Sequence, residues 1–225
     1  MSGPAPASPS ATMPYAGVQL VNPFAGNHVV SSDPRELAAS IEAGERSRRE
    51  FPYFEARYGE RGRRFCHSDG AWLSLAARQG AEHLRREVLW LGRVLSARGM
   101  PQWLLERHLE LLHEELVKAV PERREAYDDL RSAAELLRER RLQRLAEDDF
   151  RALSAAFDAR VGPEWSARLP HVGAMLAAAV ADERNGVERA VASLEEWVAD
   201  PARFPPGWCN AVRDTIARAR NRSLR

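Results

Sequence analysis

The sequence predicts an all-α protein, an internally duplicated helical bundle that follows a disordered N-terminal tail. Three observations predict this fold class. Apolar residues recur at helical spacing over most of the chain, no stretch shows the alternation of a half-buried strand, and one stretch of sequence occurs twice. With 225 residues, 44% of them hydrophobic, the chain can supply a substantial core.

The repeated stretch is Phe54–Leu95, which aligns without a gap with Phe157–Val198 and is identical to it at 11 of 42 positions. FEARYG falls on FDARVG, and GAWLSLA falls on GAMLAAA. A third amphipathic segment follows each copy and opens with Pro-x-Trp, at Pro101 and at Pro206. We therefore predict a tandem duplication of a three-helix unit.

The N-terminal region contains two segments of different composition. Residues 1–17 are rich in Pro, Ala, Ser and Gly and cannot bury enough apolar surface to become ordered, which predicts a disordered tail. Residues 18–30, VQLVNPFAGNHVV, have the apolar content of a packed segment, but Pro23 and Gly26 exclude a helix. We expect this segment to lie extended across the helical body or to dock on a partner.

The first helix has clear start and stop signals. Asp33 can cap it, Pro34 suits the first helical position, and Glu36 can hydrogen-bond back to the cap residue. The pair Phe51–Pro52 ends it. Residues 18–50 are thus predicted to form an extended docking segment and a capped helix.

The first three-helix unit is predicted to span residues 51–120. Its residues 57–69 are rich in Gly and Arg and predict a non-helical approach to a helix that Ser68 or Asp69 caps. Gly99 ends the second helix of the unit.

A charged helix over residues 121–148 is predicted to connect the two units. Its narrow apolar seam consists of Tyr127, Leu130, Leu137 and Leu142. A seam of this kind packs against one neighbour or against a second copy of the chain, so we consider a homodimer through residues 122–145. The second three-helix unit spans residues 149–225 and ends in a basic tail.

The composition excludes several classes of function. A formal net charge of +1 argues against binding of nucleic acid or membranes by bulk charge. The two cysteines, Cys66 and Cys209, form no CxxC motif, which argues against a disulfide framework and a thiolate metal site. The sequence contains no signal-peptide pattern, no membrane-spanning apolar run and no nucleotide-binding or nucleophile motif. We expect a cytoplasmic bacterial protein that is not an enzyme and needs no cofactor or metal.

The first copy of the repeat carries polar and aromatic residues that the second copy lacks. These interaction candidates are Arg63, Arg64, His67, Asp69 and Trp72. Arginines and free backbone N–H groups at a helix N-terminus could hold an anion or a carboxylate of a partner protein. Alternatively, Ser68 and Asp69 only cap the helix, and the arginines pair with Glu55, Glu60 or carboxylates on other helices.

His108 is the second candidate site, together with Trp103. His108 lies on an apolar stripe with Leu105 and Leu109. A histidine that faces an apolar pocket between helices is typical of an axial haem ligand. It is also typical of an ordinary core histidine whose ring nitrogens are hydrogen-bonded.

The sequence LWLGRVLSARGMP, followed by LLERHLELL, resembles helical modules that sit beside cobalamin-binding and stress-regulator domains in bacteria. The resemblance covers residues 89–112 and implies a regulatory or sensory role. We therefore expect a non-catalytic interaction or regulatory protein whose partner is another protein. The alternative is a sensor that binds haem or another flat apolar ligand near His108.

Overall fold

The computed structural model describes residues 29–222. The predicted disordered tail and nearly all of the apolar segment 18–30 lie outside this range. The described residues form ten α-helices and no strand, so the all-α fold class is confirmed. None of these helices combines the length and apolar character needed to cross a membrane.

The helices are α1 (Pro34–Glu50), α2 (Tyr53–Ala77), α3 (Ala81–Ser96), α4 (Gln102–Ala119), α5 (Arg124–Leu142), α6 (Glu147–Val161), α7 (Pro163–Arg168), α8 (Val172–Arg184), α9 (Ala190–Val198) and α10 (Pro206–Arg220). A short 3₁₀ turn, Pro121–Arg123, precedes α5.

Helix α1 begins as its sequence predicts, because the Asp33 side chain accepts a hydrogen bond from the backbone N–H of Arg35 at 2.9 Å. Glu36 does not complete the predicted capping box. Its fully buried carboxylate instead accepts hydrogen bonds from Tyr127 Oη at 2.5 Å and from Arg123 Nη1 at 2.7 Å. The acidic residue of the first turn therefore ties α1 to α5.

Small residues bring α1 and α2 close together. The hydroxyls of Ser40 and Ser74 lie 3.0 Å apart, and a Cβ on Gly70 would lie 3.3 Å from Cβ of Ser40. A Cβ on Gly44 would lie 2.8 Å from the His67 ring. These contacts leave no room for larger side chains along the interface, so the Gly and Ser residues set the spacing of the two helices.

The predicted charged helix, α5, does more than connect the two halves of the chain, because it packs into the apolar core that α1 to α4 form. α5 packs against α3 and α4, and its apolar seam lies inside the chain, where Tyr127, Leu130 and Leu137 are all buried. Three of the four apolar residues that suggested a homodimer are therefore covered within one chain, and the fourth, Leu142, is partly buried.

The core consists of two apolar clusters. One is built by α1 to α5, and the other is built mainly by α6 to α10 with contributions from Phe51, Tyr53 and Leu104. Arg141 of α5 links the halves: its guanidinium contacts both oxygens of Glu106 at 3.1 and 3.2 Å and Glu147 at 3.2 Å.

The second half contains five helices where the sequence predicted three. A break at Gly162, with φ of 82°, separates α6 from α7, and a further break separates α7 from α8. The predicted basic tail, residues 213–225, is helical as far as Arg220 and packs through Ile216 and Ala219. The duplication stays a prediction, although Gly59, which aligns with Gly162, also has a positive φ, of 54°.

Candidate interaction surface

The predicted non-helical approach at residues 57–69 is wrong. α2 runs from Tyr53 to Ala77 with non-helical backbone angles only at Gly59. Ser68 does not cap a helix, and its hydroxyl donates to the carbonyl of Arg64 one turn earlier at 2.9 Å. Because Ser68 and Asp69 lie well inside the helical stretch that follows the kink at Gly59, their backbone N–H groups belong to the helix and are not available to bind an anion.

Arg63 and Arg64 both have carboxylate partners. Arg63 Nε lies 2.7 Å from Glu45 of α1, and Arg64 Nε lies 3.2 Å from Glu60 one turn earlier on α2. This agrees with the interpretation in which the arginines pair with helix carboxylates. Such partly exposed pairs contribute at most about 1 kcal/mol to stability.

His67 and Cys66 lie between α1 and α2. His67 is fully buried, and its Nε2 atom lies 2.9 Å from the same Glu45 oxygen that Arg63 contacts. Burial raises the pKa of the Cys66 thiol to about 12, with a further contribution from Asp69. The thiol is therefore protonated at neutral pH and is a poor nucleophile.

Asp69 is partly exposed by surface area, but its carboxyl group sits in an apolar environment. Burial raises its pKa to about 7, and the charge of Arg98 partly opposes this shift. Asp69 lies on α2 together with Arg63 and Arg64, but His67, on the same helix, faces the interior. The five predicted residues do not form one contact surface.

Trp72, the fifth candidate, is 9% exposed and contacts Trp90, which is not among the predicted interaction residues. Trp90 of α3 meets Trp72 edge to face, with ring centroids 6.0 Å apart, and is 48% exposed. Among the described residues, the large exposed hydrophobic side chains are Trp90 and Val29. The sequence could have indicated that Trp90 is exposed, because Trp90 lies off the apolar stripe of α3. That stripe consists of Leu84, Val88 and Leu91.

Two arginines flank Trp90 on the outer side of α3. Arg86 lies one turn before Trp90 and Arg93 lies just under one turn after it, and both are exposed. Arg86 is 3.9 Å from Glu82, whereas Arg93 has no ion pair with any residue in the described range. We call Trp72, Arg86, Trp90 and Arg93 the Trp90 surface.

His108 lies in a packed interior between α1, α2 and α4. Its Nδ1 atom is 2.9 Å from the hydroxyl of Ser47, and a Cβ on Gly70 would lie 3.6 Å from Nε2. The ring of Trp103 packs elsewhere, 5.5 Å from the ring of Phe150. The structure therefore does not bring the two ligand candidates together, and the backbone of α2 occupies the space beside Nε2.

Burial lowers the pKa of His108 to about 4, with a smaller effect from nearby His67. The Nε2 atom is buried and has no hydrogen-bond partner among the described residues. No group of three or more metal-binding side chains occurs within residues 29–222.

Neither a family model, nor the sequence of a characterised protein, nor a solved structure matches this chain.

Proposed function

We propose that this chain is a non-catalytic helical protein that binds another protein through the Trp90 surface. The observation that carries this proposal is the half-exposed indole of Trp90, which rests on the buried indole of Trp72. A tryptophan held by a buried neighbour presents a large apolar face with little remaining conformational freedom. Trp and Arg are the residues that most often dominate the binding energy of protein interfaces.

The charge around Trp90 indicates the chemistry of the partner. Arg86 and Arg93 place two guanidinium groups beside the indole, and Glu82 lies close to Arg86. Guanidinium groups bind carboxylates in a bidentate geometry. We therefore expect a protein partner that offers an apolar side chain to Trp90 and acidic residues to the two arginines.

The resemblance to bacterial regulatory modules supports a regulatory role in the cytoplasm of a bacterium. The resembling segment, residues 89–112, includes Trp90 and Arg93. The proposed contact surface thus lies partly within the segment that carries the resemblance.

A quantitative pull-down from extracts of the native host tests the proposal. The bait proteins are the wild type, Trp90→Ala, the double variant Arg86→Glu/Arg93→Glu, and the matched control Arg85→Glu. Arg85 is an exposed arginine on a different side of α3. We expect at least one captured protein whose recovery falls about tenfold or more in the first two variants, a loss of roughly 1.4 kcal/mol, and not in the control. Equal recovery by all baits would show that the Trp90 surface binds nothing.

A ligand sensor is the second candidate, and it is favoured by the buried Nε2 atom of His108, which has no hydrogen-bond partner within residues 29–222. This reading requires α2 to move away from the ring, because Gly70 packs beside Nε2. An absorbance spectrum of protein purified from its native host tests it. A Soret band that disappears in His108→Ala would support the sensor, and a colourless protein that does not take up added haemin would exclude haem.

A further inference from the structure

We propose that the partner protein binds the Trp90 surface with an amphipathic α-helix that lies along α3. In this helix two acidic residues stand seven positions apart, with an apolar residue between them. The inference deepens the proposed function and rests on it, because it describes the partner of the same surface. It follows from the charge of the surface, from the spacing of its arginines and from the hydrogen bonding of the α3 backbone.

The part of the chain that presents Trp90 is basic. Residues 78–98 contain two glutamates and five arginines. The arginines, all of them exposed, are Arg78, Arg85, Arg86, Arg93 and Arg98. Arg78 lies 3.7 Å from Glu36 and Arg86 lies 3.9 Å from Glu82, whereas the other three have no ion pair within residues 29–222. Acidic side chains of a partner therefore gain ion pairs that the free protein does not make.

The two arginines that flank Trp90 have the spacing of residues on one side of a helix. Arg86 and Arg93 are seven positions apart, which is about two turns, or roughly 10.5 Å along the axis of α3. Trp90 lies between them. In a partner helix beside α3, residues i and i+7 have the same separation, and residues i+3 and i+4 lie between them on the same side. Two acidic residues thus meet both guanidinium groups while an apolar residue packs on the indole.

An extended partner segment does not match this spacing. Side chains on one side of a strand are about 6.6 Å apart at i and i+2 and about 13 Å apart at i and i+4, and those at i and i+3 point to opposite sides. The backbone groups inside α3 are hydrogen-bonded within that helix, so an extended segment would find no backbone partners on it. A partner helix satisfies its own backbone groups and needs none from α3.

The two ends of the surface are unequal. Arg86 has Glu82 one turn before it, at 3.9 Å, and this carboxylate repels an acidic residue of the partner. Arg93 has no ion pair within the described part of the chain. We therefore expect Arg93 to contribute more of the binding energy than Arg86.

Selection of random peptides displayed on phage, long enough for four helical turns, tests the pattern. The full-length protein is the target, and peptides that also bind Trp90→Ala are removed. We expect the enriched peptides to carry Asp or Glu at positions i and i+7 and a large apolar residue at i+3 or i+4. Selection on the control Arg85→Glu, which makes the same change of charge elsewhere on α3, should enrich the same pattern.

A charge exchange then checks which residues meet. An enriched peptide, synthesised with a fluorescein label, is titrated with each protein variant and its binding is followed by fluorescence anisotropy. Arg93→Glu should weaken binding about tenfold or more, and Arg86→Glu should weaken it less. Replacing one of the two acidic residues of the peptide with Arg should restore binding to Arg93→Glu, and replacing the other should not. Circular dichroism should show that the peptide gains helix when it binds.

Several results would overturn the proposal. The enriched peptides carry acidic residues two or four positions apart, which is the pattern of an extended segment, or no peptide is enriched over Trp90→Ala, or neither exchange restores binding. Binding to vesicles of phosphatidylglycerol and phosphatidylcholine that is lost in Trp90→Ala, without peptide enrichment, would assign the surface to lipid instead.

The peptide selection and the pull-down fail separately. If the pull-down succeeds and the selection fails, a partner protein binds the Trp90 surface in another form. If the selection succeeds and the pull-down fails, the surface binds acidic helices but the extract contains no partner that offers one.

Discussion

Asp182 of α8 accepts a hydrogen bond from the backbone N–H of Gln102, the first residue of α4, at 2.8 Å. The same carboxylate oxygen accepts a hydrogen bond from the hydroxyl of Ser96 at 2.7 Å. Pro101, which precedes α4, provides no side-chain cap. A side chain of the second half therefore caps a helix of the first half, and this contact fixes α8 against α4.

At pH 4, Asp182→Ala should lower the free energy of unfolding by about 2 to 4 kcal/mol. The substitution removes the cap of α4 and leaves buried N–H and O–H groups of Gln102 and Ser96 without an acceptor. Urea unfolding followed by circular dichroism measures the loss. Asp182→Asn keeps an acceptor oxygen and should cost less, so an equal loss in both variants would contradict a capping role.

The stability that Asp182 contributes should depend on pH. Burial raises its pKa from 3.8 to about 7, so the folded state binds the proton more tightly than the unfolded state. The contribution is then fully present below pH 4 and is lost as the pH rises through 7, by on the order of 1.4 kcal/mol for each unit of pKa shift. Unfolding free energies of the wild type and Asp182→Asn should therefore diverge progressively between pH 4 and pH 7. A constant difference over this range would contradict the raised pKa.

His108 should produce the opposite dependence. Burial lowers its pKa from 6.5 to about 4, so the unfolded state binds the proton more tightly. The stability associated with neutral His108 is present above pH 6.5 and is lost as the pH falls toward 4. His108→Gln, which cannot titrate, should flatten this part of the pH profile of unfolding. If the unfolding free energy of His108→Gln falls with decreasing pH as steeply as that of the wild type, other groups cause the loss.

The limits of α1 could be predicted from sequence because Asp33, Pro34 and the Phe51–Pro52 pair act on their immediate neighbours. The path of α2 could not be predicted in the same way. Gly59 interrupts the helical angles at one residue, and the packing of α1 against Gly70 and Ser74 keeps the helix continuous beyond it. The local signal for a break therefore takes effect only at Gly59, and residues 60–77 are helical where α2 packs against α1.

The candidate surface was predicted only in part. The sequence identified Trp72 as a candidate but not Trp90, which is the exposed member of the pair. The apolar stripe of α3 places Trp90 on the outer side, yet only the docking of α3 on α2 brings its ring onto Trp72. Likewise, the partner of Arg63 lies on α1, at Glu45, and no local pattern predicts a pairing between helices.

Gly99→Ala should be more destabilising than Gly186→Ala, although both glycines have positive φ, of 86° and 80°. A Cβ at Gly186 meets no atom within 4 Å, so its cost is the backbone strain alone, about 1 kcal/mol. A Cβ at Gly99 would meet the guanidinium of Arg57, which donates to Tyr53 Oη at 2.6 Å and to the carbonyl oxygen of Ser193 at 2.7 Å. Displacing that guanidinium group should lower the free energy of unfolding by a further 1 to 3 kcal/mol or so, roughly the cost of leaving buried hydrogen-bonding groups unpaired. Thermal unfolding of the two variants measures the difference, and equal losses would show that Arg57 moves aside freely.

Trp90→Ala should leave the fold intact while Trp208→Ala should not. Trp208 is 2% exposed and its indole N–H donates to the carbonyl oxygen of Val198 at 2.7 Å, so its removal leaves a cavity and an unpaired carbonyl and should cost about 3 to 5 kcal/mol. Trp90 is 48% exposed, and within the described part of the chain its ring meets Trp72 edge to face, a contact worth about 0.5 to 1.5 kcal/mol. Urea unfolding of both variants provides the comparison. A loss for Trp90→Ala as large as that for Trp208→Ala would show that Trp90 is held for stability, and its exposure would then not indicate a binding surface.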